Sequence, residues 1–247
     1  MNEMNGQVVA GGRGRGKQLN QLCFPTDVLI DKKTNDLIIS DRGNRRVLLW
    51  SRRSGTVKGR ILLRNIRCRG LAMDNQGSLY ISDNDKHEVR RYYVGDKFGT
   101  IVAGGHGKGD GLNQLNWPTF IFIDQQQAIY VSDNENHRVM RWNKGAKEGI
   151  VVAGGQGEGK ALTQLSYPKG LFVDHLGTIY VADTGNHRVM RWSKGAKQGT
   201  VIAGGTGTSK LYYPEGLTID KHDYLYVVDW GNDRIRRFSI KQCHYDG

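Results

Sequence analysis

Cysteine is sparse in this 247-residue chain. Its three copies, Cys23, Cys68 and Cys243, form neither a paired disulfide framework nor a CxxC metal signature. The fold must therefore hold without either kind of staple, and a reducing compartment, cytoplasmic by default, is expected. Long apolar runs are also missing, so no segment approaches the length of a membrane-spanning helix. Residues 1–7 lack the basic start and apolar run of a secretion signal. No segment has a convincing helical period, which leaves an all-β class. The four prolines each follow an aromatic residue (Phe24, Trp117, Tyr167 and Tyr213), and no stretch reads as a linker. One domain over residues 1–247 is expected.

Catalytic signatures are equally scarce. The glycine-rich loops are not followed by GK(S/T), and there is no GxSxG, no HExxH and no Cys/His pair at a useful spacing. Carboxylates gather at the ends of apolar runs, where turns need them. The expectation is a non-enzyme with no cofactor and no metal ligands.

Glycine and positive charge are abundant instead, with 34 glycines and a net charge of +12. The charge is uneven: residues 1–100 hold 19 Lys and Arg against 10 Asp and Glu, whereas residues 101–247 hold 17 against 14. A partner for a basic surface is expected in the first part of the chain.

The dominant feature is a duplication. Residues 101–150 and 151–200 agree at 28 of 50 positions, including VAGG, QL, IYV, NHRVMRW and KGAK, which marks a repeat fold. Each repeat contains four short runs rich in Val, Ile, Leu and Tyr, separated by Gly, Asn and Asp. In the fourth repeat they are residues 170–174, 178–183, 187–192 and 200–205, here termed a, b, c and d. Runs apolar on both alternations suit a sheet covered on both faces, as in a blade stacked between two others. The repeats are approximately 13–63, 64–103, 104–153, 154–203 and 204–247. The last lacks a d run, and residues 7–12 (QVVAGG) match the d runs VVAGG and VIAGG. An N-terminal strand completing the last blade would remove two exposed sheet edges.

The glycine-rich approach, the aromatic-Pro pair, the (I/L)Y(V/I)xD run and the Asn-His-Arg-Val run at Asn136-His137 and Asn186-His187 resemble the NHL family of β-propellers. The resemblance covers nearly the whole chain. It implies a propeller, here of five four-stranded blades closed by the N-terminal strand. Because most NHL propellers have six blades, a six-bladed ring or an open part of one remains the alternative.

Every b run ends in Asp (41, 83, 133, 183 and 229), and five residues later stand Arg46, Arg138, Arg188 and Arg234, with Glu88 as the exception. A hairpin through DxxNxR brings the two side chains together, so an ion pair should lock each turn. In the second repeat Asp83 and Glu88 should repel, with Lys86 compensating. His87, His137 and His187 recur at one turn position, too far from the axis to share a metal, so inter-blade hydrogen bonding is expected. The prolines should set an extended approach to strand a, and a cis bond is allowed at each.

By the usual propeller layout the d–a loops and b–c turns share the top rim. Arg13, Arg15, Lys17, Arg42, Arg45, Arg67 and Lys86 then form a basic rim on the first two blades. Phe24, Trp117, Tyr167, Tyr212 and Trp230 supply aromatic plates. Thr26, Arg69, Thr119, Lys169 and Glu215, which open the innermost strands, should ring the channel mouth as the main contact residues, because they differ while the framework does not. The resemblance implies recognition of another protein by a monomeric scaffold away from any membrane. Single-stranded RNA binding is the alternative, since basic groups beside aromatic plates suit phosphates and bases. A metal-dependent lyase or lactonase is the third reading.

Overall fold

The computed structural model describes residues 7–53, 55–93, 95–205 and 210–240, so Cys243 lies outside the described residues. Five antiparallel sheets follow one another along the chain. Blade 1 contains β1 (Pro25–Ile30), β2 (Leu37–Asp41), β3 (Arg46–Trp50) and β4 (Arg60–Arg64). Blade 2 contains β5 (Cys68–Met73), β6 (Leu79–Asp83), β7 (Glu88–Tyr92) and β8 (Thr100–Gly104). Blade 3 contains β9 (Pro118–Ile123), β10 (Ile129–Asp133), β11 (Arg138–Trp142) and β12 (Ile150–Gly154). Blade 4 contains β13 (Pro168–Val173), β14 (Ile179–Asp183), β15 (Arg188–Trp192) and β16 (Thr200–Gly204). Blade 5 contains β17 (Pro214–Ile219), β18 (Tyr224–Asp229) and β19 (Arg234–Ser239). This is the all-β, five-bladed propeller arrangement expected from the repeats.

The apolar runs work as anticipated. β2, β6, β10 and β14 are buried along their whole length, because both faces of these sheets are covered. The core consists of the gaps between blades. Between blades 3 and 4, Val139, Leu165, Val181, Met190 and Trp192 are at most 1% exposed. Blades 2 and 3 enclose Leu115, Val131, Met140 and Trp142 in the same way. Removing a side chain of this size from such a gap costs about 2–5 kcal/mol. Glycine has a specific task where innermost strands approach each other: a Cβ on Gly70 would lie 2.5 Å from the Thr119 carbonyl oxygen of the next blade. Only a residue without a side chain tolerates that distance.

The two end blades differ. Val28 and Ile30 of β1 are each 54% exposed, and Ile235 of β19 is 70% exposed, so these faces have no covering blade among the described residues. Adjacent innermost strands contact each other from β1 to β5, β9, β13 and β17 in turn. β19 has no fourth strand beside it, and residues 7–12 carry no strand pairing. Ala10 and Leu22 pack on Leu37, Ile39 and Trp50, as Ala103 and Leu115 pack on Ile129 and Trp142.

The prolines depart from expectation. No peptide bond is cis among the described residues, and the residues before the prolines are not extended. Phe24, Trp117, Tyr167 and Tyr213 have φ of 46°, 58°, 48° and 49°, in the left-handed region that non-glycine residues seldom occupy.

Candidate functional site

One clasp is repeated around the upper rim. The Asp183 carboxylate, 0% exposed, accepts from the Ser166 N–H at 2.7 Å, Asn186 Nδ2 at 2.9 Å and Arg188 Nε at 2.7 Å. Arg188 also donates to the carbonyls of Lys160, Ala161 and Gln164, so one guanidinium ties the b–c turn to the incoming d–a loop. Asp41–Arg46, Asp133–Arg138 and Asp229–Arg234 repeat the pair at 2.6, 2.7 and 2.7 Å. The expected ion pairs are therefore present, and both loop types share this rim. Sequence reasoning missed the middle Asn of DxxNxR, whose amide bonds the same carboxylate and the loop. Burial pushes the Asp133 and Asp183 carboxyls up despite these donors. At Asp229 the upward push of burial is outweighed by the Tyr212 N–H, Arg234 and Asn232, and the carboxyl lies below its usual value.

Blade 2 breaks the pattern differently from the expectation. Glu88 is buried and pairs with Arg90 at 2.5 Å, two residues along the same strand face, rather than facing Asp83 unpaired. The Asp83 carboxyl is raised by burial, and the Asp85 N–H and the charge of Lys86 oppose that rise.

The histidines connect blades, as the sequence suggested. His87, His137 and His187 accept through Nδ1 from the backbone N–H of Trp117, Tyr167 and Tyr213, at 3.1, 3.2 and 3.1 Å. Acceptance at Nδ1 places the proton of the neutral ring on Nε2. The left-handed turns at Trp117, Tyr167 and Tyr213 aim their N–H groups at the preceding blade, while Phe24 has the same backbone conformation with no histidine partner among the described residues.

At the first junction the same two positions hold Arg45 and Arg67. Both arginines bind Asp85, at 2.5 and 3.0 Å. A charged bridge thus replaces the histidine bond between blades 1 and 2. Arg42 follows directly after β2, and its Nε is buried without a partner among the described residues. Burial lowers its pKa, and the positive charges of Arg69 and Arg67 lower it further. Lys86 is exposed on the neighbouring turn.

The residues expected at the channel mouth fall into two sets. Arg69, Lys169 and Glu215 meet there: Glu215 Oε1 accepts from Arg69 Nη2 at 3.5 Å and from Lys169 Nζ. Thr26 and Thr119 belong to the wall instead. Thr26 Oγ1 is 3.0 Å from Ser40 Oγ, while Thr119 is 2% exposed and bonds the carbonyls of Ser132 and Pro168. Small hydroxyls at this position turn inward to close the gap between blades, which removes them from the contact ring.

Arg13, Arg15 and Lys17 are exposed on the loop before β1, and no hydrogen bond or ion pair among the described residues joins them to the Arg42 group. The aromatic plates are partly occupied by the protein itself. Arg15 covers Phe24 at 4.1 Å and Arg67 covers Trp117 at 5.3 Å. Tyr212 stacks on His187 at 5.0 Å, and Tyr167 meets His137 edge-on. Trp230 is 59% exposed with only an edge contact to Tyr213.

On the opposite rim the chemistry is committed to turns. Asp74, Asp124 and Asp174 each accept two backbone N–H bonds within their own turn. No group of three or more His, Cys, Asp or Glu able to hold a metal occurs among the described residues, and no helix among them is long and apolar enough to cross a membrane.

Residues 165–191 match the NHL repeat. No curated protein gives a significant match. Among solved structures the chain is similar to a gluconolactonase from Xanthomonas campestris, with 18% identity and a TM-score of 0.71 over 90% of this chain and 78% of the other. An auxiliary nutrient binding protein from Bacteroides thetaiotaomicron shows 18% identity and a TM-score of 0.71, over 88% of this chain but only 59% of that protein. Virginiamycin B lyase from Staphylococcus aureus shows 15% identity and a TM-score of 0.61, over 92% of this chain and 72% of the lyase. At these identities the likeness carries the propeller fold alone.

Proposed function

We propose that this chain, an NHL-repeat β-propeller, is a non-enzymatic platform that binds another protein through its upper rim. The observation that supports this reading is the convergence of Arg69, Lys169 and Glu215, from three different blades, at the channel mouth. These positions are free to vary because the blades are held by other residues, namely the Asp–Arg clasps and the histidine bonds. Charged groups at the centre of a rigid ring, with exposed Phe24, Tyr212 and Trp230 outside them, form a surface of the anchor-and-rim kind used in protein recognition. Affinity capture with the wild type and the R69A/K169A/E215A variant tests it. Partners should be lost from the variant, whereas an unchanged set of captured proteins would refute the reading.

Two further proposals belong to this reading. The protein acts as a monomer away from membranes. Residues 7–12 would form the fourth strand of blade 5: they carry the d-strand sequence, Ala10 among them packs on blade 1, and β19 has no fourth strand beside it among the described residues. Asp233 of blade 5 occupies the position of the linking histidines, also with a left-handed backbone at φ 50°, and would accept from Phe24. Deleting residues 1–12 should then cause aggregation through the exposed edge in sedimentation experiments. A monomeric deletion variant with unchanged stability would rule the seam out.

The competing RNA reading has support in the basic excess of the first two blades. The capping of Trp117 by Arg67 favours protein, because that ring face is not free to stack on a base. A gel shift with random-sequence RNA separates the two readings.

A further inference from the structure

The junction between blades 1 and 2 gathers more cations than it neutralises. The junction's Arg42, Arg45, Arg67 and Arg69 are served by two carboxylates: Asp85, shared by Arg45 and Arg67, and Glu215 of blade 5, which Arg69 shares with Lys169 of blade 4. Asp27, the other carboxylate beside Arg69, spends Oδ2 on the Leu71 N–H at 2.7 Å and Oδ1 on the Val28 N–H at 2.8 Å. The two arginines nearest the mouth are the least satisfied. Arg42 Nε and Arg69 Nε are buried with no acceptor, and the Arg69 contact to Glu215 is long, at 3.5 Å.

Repeat equivalence shows that this cluster is not a framework requirement. The position of Arg42 is held by Asn134 in blade 3 and Thr184 in blade 4, which bond the next blade through the carbonyls of Pro168 and Pro214. Arg42 has given up that bond, and the following blade presents Arg67 and Arg69 on either side of Cys68. Asn84, the counterpart in blade 2, donates its backbone N–H to the Arg67 carbonyl. Its side chain is 0% exposed, and both its amide oxygen and its amide nitrogen lack a partner. Buried guanidinium groups left without partners are costly, and an oxyanion supplies the acceptors that Arg42 Nε and Arg69 Nε lack.

We propose that the junction of blades 1 and 2 is a specific docking site for an acidic peptide segment, with Arg42 and Arg69 receiving one carboxylate and Arg67 the next. The inference rests on the protein-binding reading and names the chemistry of the partner. A peptide fits better than a nucleic acid here because Arg67 already covers the ring of Trp117 from the adjoining blade, so carboxylates can be paired while that ring face is not free for a base.

The test is fluorescence anisotropy with three labelled probes: an eight-residue Asp/Glu peptide, its Asn/Gln isostere, and a single-stranded oligouridine. Titrations use the wild type, R42A, R69A and the control R53A, an exposed arginine outside the site. Melting curves establish that each variant is folded. The acidic peptide should bind and the neutral one should not. R42A and R69A should each weaken binding at least about tenfold, the value of losing a charge-assisted hydrogen bond, with R53A unchanged. The proposal is overturned if the acidic peptide does not bind, if it binds R42A and R69A as tightly as the wild type, or if only the oligouridine shows the arginine dependence. Should R42A misfold, R42K and R69K decide: a lysine keeps the charge but not the fork, so a loss of about tenfold supports the site, while full retention refutes it as specific. Should the peptide fail while affinity capture remains sensitive to R69A/K169A/E215A, the platform reading stands and this inference alone falls.

Discussion

The junction of blades 1 and 2 and the three junctions that follow it solve the same mechanical problem in different chemistry. From blade 2 onward a histidine accepts a backbone N–H across each gap, a neutral bond that leaves nothing over for a ligand. At the first junction a carboxylate between two arginines bridges the gap, and Arg42 and Arg69 remain with unmet donors. The difference, taken with the acidic-peptide site proposed above, separates holding from binding: where the histidine bond is kept the rim is committed to structure, and where it is replaced the rim carries the unmet donors that the proposal assigns to a partner.

The largest expected effect comes from breaking the part common to the complete clasps. D183A leaves Arg188 without its buried partner and should cost about 3–5 kcal/mol in urea unfolding. D83A removes a carboxylate that no clasp arginine faces and should cost clearly less. Equal losses would show that the arginine pairing is not what the carboxylate is for. Next in size, H187A leaves the Tyr213 N–H without its acceptor and should cost about 1 kcal/mol. R45A at the first junction should cost about 0–1 kcal/mol, because its pair with Asp85 is solvent-exposed. Thermal melting of the two variants ranks the junctions.

A smaller, pH-dependent difference distinguishes Asp27, which links blade 1 to blade 2 through Leu71. Burial raises its pKa from 3.8 to about 6, against the opposing pull of the Leu71 and Val28 N–H groups and the charge of Arg69. A folded-state pKa above the unfolded one means that its contribution is fully present below about pH 4 and declines as pH rises through 6. The stability of the wild type relative to D27N should therefore fall between pH 4 and 7. A flat difference across that window would contradict the assignment.

Much of this was legible in the residues. A carboxylate five positions before an arginine across a tight turn has few other places to go, and three histidines at one turn position were too far apart to share a metal. The innermost positions were harder to read. Thr119 and Lys169 are equivalent in sequence, yet one hydroxyl closes the wall while the other side chain reaches Glu215, because side-chain length decides which gap is filled. The aromatic-Pro turns also misled. Local preference favours extended backbone before proline, but the residues before all four prolines are left-handed, and at three of them a tertiary bond to a histidine in the preceding blade goes with that conformation. The charged bridge of Arg45, Asp85 and Arg67 joins residues of two repeats that depart from the shared pattern, so no periodicity announced it.

The central claim, that holding and binding are separate at the first junction, is tested most directly by giving that junction the residues of blade 3. The R42N/R69T variant carries the side chains found at Asn134 and Thr119. Its affinity for the acidic peptide, measured beside its melting temperature, should fall at least about tenfold while the melting temperature holds or rises. Unchanged affinity, or a collapse of the fold with the loss of the two arginines, would contradict the account.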